Sequence, residues 1–442
     1  NEKSQQRRFS RQKIRLIRSL DLLVIDEISM VRADMLDAVD EALRRFRDHR
    51  RPFGGVHLLM IGDLHQLPPV VRQEDWDVLA RFYDTPYFFG SRALGQTDYI
   101  SIELKHIYRQ SDPEFIALLN KVRVNRLDEE SLRKLNSRFV ADFRPRGKDA
   151  YITLTATNRV AHGINAGNLN ELSAPRHVFE ADVVGEFPES SYPTDHTLEF
   201  KTGAQVMFIK NDLEPDRQYF NGKIGRITNI DEDLIFVRCP GDSVDIVVAP
   251  AEWQNVKYSL NEETKQIDEQ IVGMFRQYPL KLAWAITIHK SQGLTFERAI
   301  VDAEAAFAHG QVYVALSRCK SFEGIVLRSR ISGSSVKTDP VVQTFSEEAQ
   351  RLAPSESQLQ QAKREFQESL VRELFHFDSM ENGLNQLRST YAQHATTLLP
   401  RALEQVQSLA QHAGIQLFDV TAKFTPKLDE YFRQAAMPAA NE

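Results

Sequence analysis

The stretch Leu22-Leu23-Val24-Ile25-Asp26-Glu27 is a short apolar run that ends in two carboxylates. A second run, Val56 to Ile61, is apolar except for His57 and ends in Gly62-Asp63, and the intervening residues Val31 to Phe46 have helical spacing. Predominantly apolar runs of this kind are typical of strands that are covered on both faces, as in a parallel sheet between helices. The succession of strand, helix and strand therefore predicts an α/β domain.

The α/β pattern returns further along the chain, on either side of a segment with a different character. Pro113 to Val124 is predicted to be a helix, and Tyr151 to Thr155 a strand. Residues 201–279 instead alternate β-rich runs with tight-turn signals such as Asn221-Gly222, which predicts a small inserted β-barrel. The predicted domains are a first α/β domain (1–105), a second one (106–200 and 280–340), the inserted barrel (201–279) and a C-terminal helical region (341–442).

The C-terminal region follows a polar linker, Ser332-Gly333-Ser334-Ser335. Ser355 followed by Gln358 predicts a capped helix start, and apolar residues then recur at helical spacing over Leu359 to Leu374 and Leu384 to Leu398. An accessory helical bundle is the favoured interpretation of this pattern. A coiled coil that binds a protein partner is the alternative.

Composition limits the class of protein. The 442 residues are 42% hydrophobic and 26% charged, which is typical of a globular protein. The sequence has no apolar run of about 18 residues that could span a membrane, and residues 1–19 lack the apolar core of a signal peptide. Cys239 and Cys319 are the only cysteines, and their separation argues against a zinc site or a disulfide framework. We expect an intracellular protein, cytoplasmic if bacterial, with no membrane partner; its net charge of −6 still permits a basic nucleic-acid groove.

The two carboxylates after the first strand are candidate catalytic groups. In nucleotide hydrolases with a phosphate-binding loop, a strand-end aspartate such as Asp26 holds Mg²⁺, and a following glutamate such as Glu27 can orient and deprotonate water. Carboxylates at strand ends also cap helices, because they accept hydrogen bonds from backbone N–H groups. These two residues alone leave both interpretations open.

The end of the second strand adds a polar amide. Pro52-Phe53-Gly54-Gly55 leads into the strand, and Gln66 follows Gly62-Asp63, just before the stiff turn Pro68-Pro69. Because the carboxyl ends of neighbouring parallel strands meet at one sheet edge, Gln66 is predicted to lie beside Glu27. A rigid turn with a solvated glutamine is the alternative.

These stretches resemble motifs of the PIF-type and RecD-type superfamily 1B DNA helicases, and further motifs follow in that group's order between residues 15 and 340. The matching stretches are Asp26-Glu27-Ile28-Ser29-Met30, Pro52-Phe53-Gly54-Gly55, Gly62 to Val70, Glu103-Leu104 with Tyr108-Arg109-Gln110, Gly203 to Asp212 with Asn221-Gly222, Ala283 to Phe296, and Val312 to Cys319. The Pro-Phe-Gly-Gly and Pro-Pro stretches resemble the PIF type more than RecD. The resemblance implies an α/β fold of two RecA-like parallel-sheet motor domains, with a small β-barrel inserted in the second.

The resemblance also implies an activity: an ATP-dependent helicase that moves 5′ to 3′, with ATP and Mg²⁺ as cofactors. It gives Glu27 and Gln66 catalytic roles and assigns Asp26 to Mg²⁺. Arg109 and Arg318 would be arginine fingers, because an always-charged guanidinium suits the developing charge of phosphoryl transfer. Gln292 and Gly293 would lie near the nucleotide.

The same resemblance implies single-stranded and forked DNA as partners. Thr287, His289, Lys290 and Ser291 would contact the strand, since hydroxyls and a cation bind phosphates without reading bases. A structural role is the alternative for His289. Thr157-Asn158 is a second candidate contact, with a turn cap as the alternative. Elsewhere, Phe88-Phe89 is predicted to belong to the core rather than to stack on bases.

One expected motif is missing. No Gly-x-x-x-x-Gly-Lys-[Ser/Thr] loop occurs: Gly147-Lys148 is followed by Asp149, and Gly222-Lys223 by Ile224. The chain, which begins with Asn1, is therefore expected to be a fragment of a helicase, inactive by itself, with an uncovered sheet edge that favours aggregation. Two other classes stay open: a RecD-like subunit of a recombination nuclease, and a nucleic-acid-binding protein without catalysis.

Overall fold

The computed structural model describes residues 9–145, 150–212, 214, 216–261, 267–302, 310–332, 336, 339–394 and 400–434. The chain forms two compact units. The motor unit comprises residues up to Tyr99 together with Leu104–Glu348, and the C-terminal unit comprises Ile100–Glu103 and Ala349–Glu442. Gly147-Lys148 and residues 333–335 of the predicted linker lie outside the described residues.

The first lobe of the motor unit contains the predicted strand–helix–strand arrangement. Its elements are α1 (Arg11–Ser19), β1 (Leu22–Ile25), α2 (Ala33–Phe46), β2 (His57–Met60) and α3 (Gln73–Leu79). Strands β1 and β2 are parallel, with Leu22 opposite His57. Leu23 and Ile25 pack with Leu36 and Phe53 in the core of this lobe.

The prediction that β1 is covered on both faces is wrong for the part of the chain that the structure describes. Leu22 and Val24 are 51% and 50% exposed, and Leu59 on β2 is 47% exposed. Because successive side chains of a strand point to opposite faces, these residues form one uncovered apolar face. The apolar run predicted the strand correctly, but it did not predict that only one face of the strand is packed against other described residues.

The Pro-Phe-Gly-Gly stretch is a structural element of this lobe. Phe53 is buried and has a left-handed backbone with φ of 52°, and its N–H donates to the Asp40 carboxylate at 2.5 Å. Gly54 has φ of 60°, and a β-carbon there would stand 2.7 Å from the carbonyl oxygen of Leu43. The stretch therefore fixes the return from α2 into β2.

The second lobe is built on a parallel sheet, as predicted. The helices and strands outside the antiparallel region are α4 (Pro113–Arg123), α5 (Glu129–Asn136), β3 (Ile152–Thr155), α6 (Asn158–Glu171), β14 (Ala285–Thr287), β15 (Ala299–Val301), α7 (Gln311–Ser317) and β16 (Ile325–Leu327). Helix α8 (Pro340–Arg351) follows, and its Phe345 packs with the core of the first lobe. The strand order is β14-β3-β15-β16, and all three pairings are parallel. Leu154, Val301 and Leu316 lie in the buried core of this lobe.

The intervening antiparallel strands begin earlier than residue 201. They are β4 (Arg176–Glu180), β5 (Asp182–Gly185), β6 (Thr197–Lys201), β7 (Gln205–Phe208), β8 (Ile224–Asp231), β9 (Leu234–Arg238), β10 (Ile246–Val248), β11 (Ala251–Leu260), β12 (Ile267–Gln277) and β13 (Leu280–Leu282). They pair as β10-β9-β8-β7-β13, β11-β12-β5 and β4-β6. The core residues Phe200, Val206, Ile227 and Leu280 join β6, β7, β8 and β13 in one cluster.

The C-terminal unit is helical, as predicted. It contains α9 (Glu356–Glu373), α10 (Asp378–Gln393), α11 (Pro400–Ala413) and α12 (Asp419–Gln434). The predicted capping box is present at the start of α9, where the Ser355 N–H donates to the Gln358 side-chain oxygen at 2.8 Å. Across the described residues, no helix has the length and apolar character needed to span a membrane.

Candidate active site

The turn after β1 holds Asp26 and Glu27 in a fixed geometry. Glu27 has a left-handed backbone with φ of 50°, and its N–H donates to the Asp26 carboxylate at 2.9 Å. The neighbouring strand end packs tightly on this turn, since a β-carbon on Gly62 would stand 3.0 Å from the backbone nitrogen of Ile28. The ends of β1 and β2 are therefore locked together, as the parallel pairing predicted.

Glu27 lies in an electrostatic field with contributions from both lobes. Partial burial raises the pKa of Glu27, and repulsion from Asp26 and Asp63 adds to that shift. Attraction to Arg318 and Arg109 lowers the pKa but does not cancel the rise. The charges of both arginines that the sequence singled out thus act on Glu27 from the second lobe.

Arg318 is a buried cation at the end of α7, only 2% exposed. Its Nε donates to the carbonyl of Val314 at 3.2 Å. Burial and repulsion from Arg109 lower its pKa to about 10, against the attraction of Tyr313, Glu27 and Asp63. Within the described part of the chain, no carboxylate lies at ion-pair distance from Arg318, so its charge is held mainly by neutral acceptors.

Gln110 positions Arg109 beside this cation. The Gln110 side-chain amide is buried and donates to the carbonyls of Ser317 and Cys319, both at 2.9 Å. Arg109 itself donates to the Ser317 carbonyl at 3.4 Å, and burial lowers its pKa. Gln110 was not among the predicted site residues, although it is part of the Tyr-Arg-Gln stretch.

The turn that contains Gln66 contacts both lobes. Gln66 donates from its amide to the Asp63 carboxylate at 3.4 Å. A β-carbon on Gly310 would stand 2.0 Å from the Gln66 carbonyl oxygen, so only glycine fits where this turn meets the start of α7. The next residue, Leu67, is fully buried within the core of the second lobe.

Two further charged residues join the lobes, and no pattern in the sequence predicted their pairing. Asp63 accepts from Arg123 at 3.2 Å and from the His65 N–H at 3.0 Å. Beside them, burial and the Asp63 charge raise the pKa of Tyr313 to about 12. The only sequence signal for Arg123 was a basic residue at the end of a predicted helix.

Gln292 and Gly293 are not hydrogen-bonded to the two arginines. Among the described residues, no hydrogen bond joins either of them to Arg109 or Arg318. The Gln292 amide nitrogen is buried and has no hydrogen-bond partner there. Gly293 has φ of 75° and open space at the position of a β-carbon. Gln292 therefore offers an unused donor.

The predicted DNA contacts follow two adjacent strands. Thr155 of β3 lies opposite Thr287 of β14 in a parallel pairing, so the turns after both strands share one sheet edge. Thr157 and Asn158 are exposed at the start of α6, where the Thr157 hydroxyl accepts from the Val160 N–H at 3.4 Å. The turn cap that the sequence offered as an alternative is thus present.

The turn after β14 uses two of its hydroxyls internally. Thr287 and Ser291 are buried; Thr287 accepts from the Lys290 N–H at 3.2 Å, and Ser291 donates to the Ile288 carbonyl at 2.7 Å. Burial lowers the pKa of the half-buried His289, which favours its neutral form at pH 7. Lys290 is exposed and is the cation of this turn.

The aromatic pair near the end of the first lobe is part of the core, as predicted. Phe88 is buried, and the ring of Phe89 stacks on Phe345 at 4.2 Å. The ring of Tyr87 also stacks on that of Phe89, with their centroids 5.4 Å apart. These rings pack on each other and leave no platform for bases.

Two parts of the chain match family models. Residues 2–130 match the model described as PIF1-like helicase, and residues 358–442 match the model described as DNA helicase, middle domain. The ATP-dependent DNA helicase Pif1 of Campylobacter jejuni is 31% identical over 318 residues, which is 69% of this chain and 68% of that protein. The chain belongs to the Pif1-like helicase family.

Solved structures agree with this family. A crystal structure of a Bacteroides Pif1 in complex with ADP-AlF4 has a TM-score of 0.73 and 36% identity, covering 79% of this chain and 80% of that one. A Candida albicans Pif1 structure has a TM-score of 0.58 and 30% identity, covering 76% and 78% of the two chains. The two RecA-like α/β domains and the PIF-type resemblance are thereby confirmed.

Some Pif1 relatives are considerably longer than this chain. The human ATP-dependent DNA helicase PIF1 is 33% identical over 336 residues, which is 73% of this chain but 48% of that protein. The chain thus spans about half the length of the vertebrate Pif1 relatives that it matches. In this chain Asn221-Gly222 is the centre of a turn that is closed by the hydrogen bond from the Lys223 N–H to the Phe220 carbonyl at 3.0 Å, and Lys223 pairs with Asp242 at 2.8 Å.

Proposed function

We propose that the chain is the larger part of an ATP-dependent DNA helicase motor that moves 5′ to 3′ along single-stranded DNA. The observation that carries this proposal is that the charges of Arg109 and Arg318, from the second lobe, act on Glu27 of the first lobe. The two lobes, residues 1–105 and residues 106–200 with 280–340, would close on ATP at that place.

The chemistry follows from the charges of the cluster. Glu27 would accept a proton from the attacking water, and its raised pKa makes it a better base than an ordinary carboxylate. Arg318 is a buried cation, and no carboxylate among the described residues lies at ion-pair distance from it. A γ-phosphate would therefore supply the negative partner of this guanidinium. Gln66 and Arg109 would orient the water and stabilise the transferring group.

The donor set fits Mg²⁺ only in the presence of nucleotide. Among the described residues, no group of three metal-ligating side chains exists. Mg²⁺ in phosphoryl-transfer sites takes one or two carboxylates and completes its shell with phosphate and water oxygens, and Asp26 provides such a carboxylate at the sheet edge. Bound there, the ion would neutralise charge on the phosphates.

DNA is the proposed track. One crystal structure shows Bacteroides Pif1 bound to single-stranded DNA. Another Pif1 structure concerns the unwinding of forked duplex DNA. In this chain, Thr157, Asn158 and Lys290 are exposed on neighbouring turns and would contact the backbone. The buried hydroxyls of Thr287 and Ser291 would shape the turn, with His289 beside them.

The experiment restores the missing motif. The chain alone is expected to show no DNA-stimulated ATP hydrolysis, because it has no phosphate-binding loop. A chimera with the loop-bearing segment of the Bacteroides relative fused before Asn1 is expected to hydrolyse ATP and to unwind duplexes with a 5′ overhang. Glu27→Gln in that chimera should lower the rate by about 100-fold or more. Turnover by the chain alone that Glu27→Gln abolishes, or a folded but inactive chimera, would contradict the proposal.

A further inference from the structure

The end of α2 has an unusual density of positive charge. Residues 44–51 contain five arginines and one aspartate, in a chain whose net charge is −6. Solvated surfaces of globular proteins usually mix both signs, whereas a one-sign patch raises the local concentration of anions. We call Arg18, Arg45, Arg47, Arg50 and Arg51 the arginine cluster.

Two members of the arginine cluster fasten α1 to α2. Arg18 donates from Nε to the carbonyl of Phe46 at 3.2 Å. In the other direction, Arg47 donates to the carbonyl of Arg18 at 2.6 Å. The ends of both helices are thus held side by side, and the cationic residues of the two segments occupy one surface.

The loop after α2 is held in a fixed shape. The Asp48 carboxylate accepts from the Arg50 N–H at 2.9 Å, and the left-handed residues Phe53 and Gly54 anchor the loop to α2. A β-carbon on Gly55 would stand 3.1 Å from the Arg51 guanidinium, so this glycine leaves room for the arginine. Ligand binding here would require little ordering of the backbone.

Three members of the cluster are available to a ligand. Arg45, Arg50 and Arg51 are exposed. Among the described residues, no carboxylate forms an ion pair with any of them. Arg45 lies over the ring of Phe46 at 5.2 Å, which supports its guanidinium on an apolar surface.

The cluster lies at the opposite sheet edge from the catalytic carboxylates. Strands β1 and β2 are parallel, and the chain reaches their amino ends from Ser19 and from Gly55. Asp26 and Glu27 follow the carboxyl end of β1. A ligand on the arginine cluster therefore cannot be the nucleotide of the proposed cleft.

We propose that the arginine cluster binds the phosphate backbone of a nucleic-acid strand, as a contact surface additional to the turns after β3 and β14. Guanidinium groups bind phosphate oxygens in pairs, and several of them on an open surface fit an extended polyanion better than a single small anion. The identification of the polyanion as nucleic acid rests on the proposed function. The presence of the surface rests on the geometry alone.

The test measures binding of the whole chain to a fluorescein-labelled oligothymidylate by anisotropy over a series of KCl concentrations. The triple substitution Arg45→Gln, Arg50→Gln and Arg51→Gln is expected to weaken binding on the order of tenfold at low salt. It should also reduce the slope of log Kd against log salt by about two, since each phosphate contact on a single strand contributes about 0.7. The matching Arg→Lys triple should retain most of the binding, because it keeps the charge.

The control removes the same charge from exposed positions elsewhere: Lys363→Gln, Arg388→Gln and Lys423→Gln. Equal weakening by this control, no weakening by the cluster triple, or absence of DNA binding by the unaltered chain overturns the proposal. Lys290→Gln separates it from the proposed function. If the cluster triple weakens DNA binding and Lys290→Gln does not, the arginine cluster is supported and the predicted contact at the turn after β14 is contradicted. If only Lys290→Gln weakens DNA binding, the arginine cluster is contradicted and that turn is supported.

Discussion

Asp63 and Arg123 form an ion pair of 3.2 Å that joins the turn after β2 to the end of α4. Arg109 precedes α4, and Gln66 donates to the Asp63 carboxylate. The pair therefore connects the turn that contains Gln66 to the segment that contains Arg109. Both side chains are less than one-third exposed, at 19% for Asp63 and 28% for Arg123, so solvent weakens the pair only in part.

A double-mutant cycle measures this connection. Asp63→Asn and Arg123→Gln are each expected to lower the free energy of unfolding by about 1–2 kcal/mol, and their coupling energy should be about 1 kcal/mol. Urea unfolding of the four proteins provides these values. Additive effects of the two substitutions would show that the contact contributes nothing. The exposed pair of Lys257 and Glu186 is the control, with a coupling near zero.

Asp37 is expected to make the stability of the first lobe depend on pH. Burial opposes its ionisation, but hydrogen bonds from Ser91, Ala93, Tyr83 and Arg92 outweigh burial and lower its pKa. A lowered carboxyl pKa gives stability that is present above the unfolded value of about 3.9 and lost as the pH falls through the folded value.

The variant Asp37→Asn should therefore be less stable than the parent chain by about 1–3 kcal/mol at pH 7. The difference should shrink progressively below pH 4. Urea titrations at several pH values measure it. A difference that stays constant down to pH 2.5 would show that the charge of Asp37 plays no part.

Gly310 and Gly293 form a matched pair for testing the contact with Gln66. Both have φ of 75°, but only at Gly310 would a β-carbon clash, at 2.0 Å from the Gln66 carbonyl. Gly293→Ala is expected to lower the unfolding free energy by about 1–2 kcal/mol through backbone strain alone. Gly310→Ala should cost clearly more in a thermal or urea melt, because the turn must also move. Equal losses of unfolding free energy in the two variants would mean that the turn with Gln66 moves at no cost.

Arg318 is expected to reduce the stability of the ligand-free chain. It is buried, and its lowered pKa means that the folded state disfavours its charge. Below a pH of about 10 the charged form predominates, so the penalty applies at neutral pH and fades as the pH rises through that value.

Arg318→Met should therefore raise the free energy of unfolding by about 1 kcal/mol at pH 7. Arg44→Met is the control, since Arg44 pairs with Asp40 at 2.7 Å and its removal should destabilise the chain. Differential scanning calorimetry at pH 7 compares the two variants. Destabilisation of similar size in both would show that Arg318 is compensated as fully as Arg44.

The uncovered face of β1 and β2 is expected to cause association at high concentration. Leu22, Val24 and Leu59 expose apolar surface on that face, and such patches promote contacts between chains. Val24→Thr with Leu59→Thr should reduce light scattering of concentrated solutions. Leu23→Thr, on the buried face, should instead lower the melting temperature. A parent chain that stays monomeric at high concentration would contradict this expectation.

Local patterns predicted most of the elements near the site. The run that ends at Ile25 forms β1, the run that ends at Ile61 contains β2, and Ser355 caps α9. Short-range signals of this kind depend on residues that are neighbours in the sequence, so periodicity and capping chemistry suffice. The βαβ arrangement then places Asp26 and Glu27 at the edge where the second lobe meets the first.

Contacts between distant segments were not predictable in the same way. Asp63 and Arg123 are 60 residues apart, and the partner of a basic residue at a helix end depends on how the lobes pack. The left-handed backbone of Phe53 was also missed, because a bulky residue rarely adopts it. The antiparallel strands β4 to β6, which begin before residue 201, were not predicted, because no tight-turn signal of the Asn221-Gly222 type precedes them.

The burial of Leu67 limits how the two lobes can move. Its side chain comes from the first lobe but sits among Phe115, Ile288 and other core residues of the second. Withdrawing a fully buried leucine into water costs about 1.5–3 kcal/mol, so sliding one lobe past the other is disfavoured. Rotation of the lobes about Leu67 would leave its side chain buried, so we expect rotation rather than sliding as their relative motion.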